Sequence, residues 1–166
     1  MTKTPPITSL DLDAHLSLAG SPAASFARLW QSLWRQPYVP PALLEMCRLL
    51  LARLHGDEAE MAAANAFAPT AALRPDKRAL LLAGQAFGSE QFTRAEKAVL
   101  AFAESYGLDA ASITDRQAQA VSAEIGEAGL VFLIEALGCL DGRIRAARCL
   151  RDLAALTRRE QPGHGG

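Results

Sequence analysis

PPALLEMCRLLLARLHGDEAEMAAAN, residues 40–65, reads as a long apolar helix, a stop and an abrupt restart. Pro40-Pro41 suits the opening turn of a helix, where a missing N–H costs nothing. Leu43, Leu44, Met46, Cys47, Leu49, Leu50, Leu51 and Leu54 then cover most of the helix circumference. Such wide apolar coverage predicts a helix buried nearly all round. Glu45, Arg48, Ala52 and His55 share the remaining strip, because steps of three and four stack along one face. Gly56 is a natural C-terminal stop. Asp57, followed three residues later by Glu60, makes a capping-box-like start. The restarted helix is expected to run through MAAANAF and to end before Pro69.

Upstream of this stretch, Ser9 to Leu18 is read as a short helix, and Ser21-Pro22 as the start of another. Phe26, Leu29, Trp30, Leu33 and Trp34 recur on one face of that second helix. Gln36-Pro37 ends it. Trp30 and Trp34 are either core packing or an anchor in a subunit contact, and core packing is the preferred reading. Downstream, residues 69–74 form a loop and Pro75-Asp76 opens a helix to Gly84. Thr93-Arg-Ala-Glu96 is a capping box that opens a helix ending at Gly107. Thr114-Asp-Arg-Gln117 is a second capping box, opening a helix that fades at Gly126. The last long helix starts near Glu127, with Gly138 and Gly142 as expected bends. No strand pattern and no tandem repeat stand out.

The whole chain has 166 residues, enough for one domain with a real core. Half the residues are hydrophobic, Ala and Leu dominate, and β-branched residues are scarce, which favours helix over sheet. A net charge of -1 exerts no general pull on nucleic acid or on acidic membranes. Aromatic residues are few and not interleaved with basic ones, against a single-strand nucleic-acid surface. No run approaches the length of a membrane span, and no secretory signal opens the chain. Cys47, Cys139 and Cys149 match no metal or redox spacing, so reduced thiols in the cytoplasm are expected. The domain expectation is an N-terminal segment over 1–20, partly disordered, a helical domain over 21–159 and a disordered tail over 160–166.

Chemistry has few candidates. There is no phosphate-binding Gly-rich loop, nucleophile elbow or pair of histidines on one helix. His15, His55 and His164 are scattered. Glu45 and Glu135 stand out as carboxylates in apolar helices. Burial raises a carboxyl pKa and can create a general acid or base, or the group can simply be paired with an Arg or a backbone group. Pairing is preferred for Glu135; for Glu45 both readings stay open, with Arg48 one turn away as structural partner. Asp57 and Glu60 are read as caps before ligands, and Cys47 as a small core residue. The Arg143, Arg145, Arg148 and Arg151 group reads first as a solvated or interface face and second as an anion site.

The segment LLEMCRLLLARLHGDEAEMAAAN resembles the core of the alkylhydroperoxidase D-like and carboxymuconolactone decarboxylase superfamily. Members typically carry a helix with a Glu, an Ala-Arg pair, an Asn-Gly-like stop, then Cys-x-x-Cys and a His one turn on. The matching residues are Glu45, Ala52-Arg53 and His55-Gly56. RPDKRALLL, FTRAEKAVLAFAESYG and SITDRQAQAVSAEIGEAGLVFLIEALGCLDGRIRA are similar to the helices that follow, so the resemblance covers about residues 25–150. It implies an all-α helical bundle of about six to eight helices that forms dimers, trimers or hexamers.

The chain departs from the family where the chemistry lies. Asp57 and Glu60 stand where the two cysteines would be, and Ala64 where the His would be. A carboxylate can neither become the low-pKa thiolate nor resolve a sulfenic acid into a disulfide. The first expectation is therefore a member without thiol-dependent peroxidase activity, kept as a binding or assembly module with no cofactor and no metal. The second is a decarboxylase-type enzyme in which Glu45 is general acid or base on a small carboxylated substrate, with Arg48 and His55 as substrate-binding candidates. A residual peroxidase-like antioxidant protein is a further alternative, and a site for a hard cation built from Glu45, Asp57 and Glu60 is weaker still.

Overall fold

Among the described residues of the computed structural model, seven α-helices follow one another: α1 (Leu12–Leu16), α2 (Ser21–Leu33), α3 (Pro41–Leu54), α4 (Glu58–Ala62), α5 (Pro75–Leu82), α6 (Arg94–Asp109) and α7 (Asp115–Glu160). The structure describes residues 6–68 and 73–160, with side chains to residue 156. The start of the N-terminal segment, most of the expected 69–74 loop and the tail beyond residue 160 lie outside the described residues. No strand occurs among the described residues, so the fold is all-α.

The stretch at 40–65 is the centre of the bundle. Every residue of α3 from Leu43 to Ala52 is buried, as its all-round apolar pattern predicts. Helices α4, α5, α6 and α7 all pack against it. Its end is a Schellman turn: Gly56 has φ +61°, its N–H donates to Arg53 O, and the Asp57 N–H donates to Ala52 O. The Thr93–Glu96 capping box is complete, with side chain and backbone bonds in both directions. Thr114 and Gln117 make the same reciprocal pair at the start of α7.

Three expectations about element ends need correction. The helix opened by Asp57 stops at Ala62, and Ala63 is already extended. Its carbonyls are taken by arginines: Arg78 Nη2 donates to Met61 O, while Arg48 Nη2 donates to Ala63 O at 3.4 Å. Tertiary hydrogen bonds thus override the helix preference of the alanine run. Gly107 does not stop α6, which continues to Asp109. A Cβ there would meet Leu51 Cδ2 at 2.8 Å and Leu54 Cδ1 at 2.9 Å, so this glycine lets α6 lie close on α3. Gly138 and Gly142 stay helical; Gly126, with φ +78°, is where α7 breaks and restarts.

Trp30 and Trp34 belong to the core, with ring centroids 5.2 Å apart in an edge-on pair. Phe67 joins both, at 6.0 Å and 6.1 Å. This cluster pins the extended segment after α4 against α2.

Candidate functional site

At the corner between α3 and α4, Arg48 lies fully buried with all five N–H donors used. Its Nε donates to Glu45 Oε2 at 2.8 Å and its Nη2 to Glu45 Oε1 at 2.7 Å, a two-pronged pair. Nη1 donates to Glu60 Oε1 at 2.6 Å and to Glu60 O at 2.9 Å. The second N–H of Nη2 goes to Ala63 O. Burial pulls the guanidinium pKa down, and the hydrogen bonds and charges of Glu45 and Glu60 outweigh it, so the net shift is upward.

Each carboxylate has further partners. Glu45 Oε2 accepts from Asn65 Nδ2 at 2.6 Å, and Arg78 Nη1 lies 3.6 Å from Glu45 Oε1. Glu60 accepts from the backbone N–H of Ser9 at 2.7 Å and from the Ser9 hydroxyl. Asp57 caps α4 by accepting from the Glu60 N–H at 3.1 Å, and it pairs with Arg151 of α7. The expected reach of Glu60 back to its own helix start is replaced by these tertiary bonds. Glu45 and Glu60 converge on a guanidinium and Asp57 on another, so the three carboxylates do not frame an open cation site. No group of three metal-ligating side chains occurs among the described residues.

Beside this network lies a cleft of about 440 Å³. Ala42 and Glu45 of α3 form one wall, the segment from Ala62 to Ala68 another, and Leu73, Pro75 and Arg78 the third. Its lining is mostly apolar, with Glu45, Asn65 and Arg78 as the polar groups. Ala64, which stands where the resembled family has its histidine, also lines it. Asn65 and Arg78 escaped the sequence reading. The one available signal for Asn65 was a lone amide at the end of an alanine run.

The remaining candidates are elsewhere. His55 is not beside Glu45; it caps the end of α3, and its Nε2 is 2.5 Å from Asp141 Oδ1 on α7. Cys47 is fully buried in the core, where burial pushes its thiol up to about 12. Burial likewise takes Cys139 to about 11, against the opposing charge of Arg143. Cys149 is exposed, and none of the three thiols lines the cleft. Glu135 is exposed and makes no ion pair among the described residues, contrary to the expected pairing. The Arg143, Arg145, Arg148 and Arg151 group on α7 is not simply a solvated face. Arg143 is fully buried, donates to Ser9 O at 2.9 Å and pairs with Asp13. Arg145 pairs with Asp141, Arg148 donates to His55 O, and Arg151 pairs with Asp57.

No family model matches this chain, and neither a curated protein nor a solved structure matches it.

Proposed function

We propose that this protein is a non-redox binding module related to the alkylhydroperoxidase D-like superfamily, self-associating, that takes a small molecule in the cleft beside Glu45. The observation that carries this reading is the state of Glu45. Both of its oxygens accept from Arg48, and one also from Asn65, so the carboxylate is fixed in a buried hydrogen-bonded network. Glu45 therefore serves as an anchor. Asp57 and Glu60 serve likewise, holding α7 and the N-terminal segment to the corner where the family has its thiols.

The cleft matches a ligand with an apolar body and one acidic group. Its walls are alanine, leucine and proline, and Arg78, about a quarter exposed, is the cation that can meet a carboxylate. A panel of short carboxylic acids, screened by thermal shift, tests this. Binding by the native chain that is lost in Arg78→Gln supports it; no binding, or binding unaffected by that change, refutes it. Hydroperoxide turnover with a dithiol reductant is expected at the level of the uncatalysed control.

A decarboxylase-type reaction is the second reading, favoured by one observation: Glu45 lines the cleft with Arg78 beside it. It requires turnover of a carboxylated substrate that disappears in a folded Glu45→Gln variant.

A further inference from the structure

The cleft beside Glu45 has a second cavity across its alanine wall. This cavity holds about 390 Å³ and lies between the N-terminal segment and the chain at the end of α4. Pro6, Thr8, Leu10 and Asp11 form one side of it, and Ala59 and Phe67 belong to the other. Ala62, Ala63, Ala64 and Ala66 line both this cavity and the cleft of about 440 Å³. A single pass of backbone therefore runs between the two, and every residue common to both linings is an alanine. Ala62, Ala64 and Ala66 are exposed, so the crest between the cavities carries methyl groups.

The walls are tied in place. Arg78 Nη2 donates to Met61 O, and Arg48 Nη2 to Ala63 O at 3.4 Å, which fixes the crest from the α3 and α5 side. Phe67 is packed against Trp30 and Trp34. On the far side the Ser9 N–H donates to Glu60 at 2.7 Å, and Ser9 O accepts from Arg143 Nε at 2.9 Å. Walls held by buried hydrogen bonds are preformed, so little ordering is left for a ligand to impose.

The two cavities differ in charge. The cleft has the Arg78 guanidinium on its wall. Among the described residues of the second lining, the charged group is Asp11, whose Oδ1 accepts from the Thr8 N–H at 2.6 Å and the Thr8 hydroxyl at 2.9 Å. The rest of that lining is alanine, Pro6, Leu10 and Phe67. An acidic group is thus attracted at the Arg78 end and repelled at the Asp11 end.

We infer that the ligand is an unbranched aliphatic acid, its carboxylate on Arg78 and its tail laid across the alanine crest into the second cavity. The inference names the class of ligand for the cleft and rests on the small-acid reading given above. Each cavity alone is near the lower end of the range for ligand sites, about 300–1,000 Å³, and the two together suit a longer molecule. The methyl crest lets a narrow chain pass close to the backbone, where a larger side chain would block it.

Isothermal titration calorimetry of the full chain with hexanoate, octanoate and decanoate tests this. Each buried methylene contributes about fourfold in affinity, so decanoate is expected to bind roughly tenfold or more tighter than hexanoate. Ala59→Leu fills the second cavity away from the cleft, and is expected to remove that gain while hexanoate binds as before. Decanedioate is expected to bind the native chain more weakly than decanoate, because its second carboxylate would lie beside Asp11. If no acid binds, or binding does not depend on Arg78, this inference falls together with the small-acid reading. If hexanoate binds through Arg78 but affinity stops rising with length, the small-acid reading stands and the inference is overturned. A length gain that persists in Ala59→Leu also overturns it. Decanedioate binding as tightly as decanoate overturns it too, even if Ala59→Leu fails to fold.

Discussion

Arg48 shows how much one side chain can organise. Its five donors reach Glu45, Glu60 and Ala63, and it has no exposed surface. The Glu45–Arg48 half of this network was legible in sequence, because residues three apart on a helix face each other. The other half was not. Ser9 and Glu60 are 51 residues apart, and Asp57 and Arg151 are 94 apart; no local spacing encodes such pairs. For Asp57 the cap was readable, and Asp57→Ala is expected to cost about 1–2 kcal/mol through the cap, and more through the stranded Arg151, in chemical denaturation. The thiols give a second test. Native alkylation followed by mass spectrometry is expected to modify Cys149 quickly and to spare Cys47 and Cys139. Burial raises both buried thiols from 9.0, to about 12 and about 11. The folded state keeps them neutral where the unfolded chain ionises them. Stability linked to them is therefore complete below pH 9 and is lost as pH rises towards 11 and 12. Denaturation midpoints should fall over that range, with a shallower slope in Cys47→Ala.

At the scale of elements, starts were easier to read than ends. The starts at Ser21, Pro41, Thr93 and Thr114 rest on local chemistry: a proline in the first turn or a side chain that accepts from the first amides. Ends depend on what the last carbonyls meet. The run after Met61 is alanine-rich and favours helix, but Arg48 and Arg78 take its carbonyls, and Phe67 draws the chain towards Trp30 and Trp34. This early end opens the cleft, so an element whose length the sequence overstates borders the candidate site. Gly107 was read as a stop because glycine often is one, whereas its role is a close contact with Leu51 and Leu54. Gly107→Ala separates the two roles. Helix propensity alone predicts a gain of up to ~1 kcal/mol. The contacts predict a net loss of about 1–3 kcal/mol from overpacking, measured by urea unfolding.

The whole molecule is a helical bundle built around α3, and that much followed from the apolar pattern of residues 43–54. No described helix is long and apolar enough to cross a membrane. What the pattern could not convey is which helix faces stay uncovered, since burial of α7 is decided by its neighbours. The cleft beside Glu45 is a property of the assembled bundle. It leaves one question at its centre: whether the carboxylates at the α3–α4 corner serve stability or chemistry. The unfolding free energy of Glu45→Gln answers it most directly. Replacing that carboxylate leaves Glu60 as the only counter-charge on the buried guanidinium and strands part of the donor fork that Glu45 occupied, and a loss of about 1–3 kcal/mol is expected. A group held for acid–base chemistry at the expense of stability would give the opposite result, and a Glu45→Gln protein as stable as the native chain, or more so, would contradict the account.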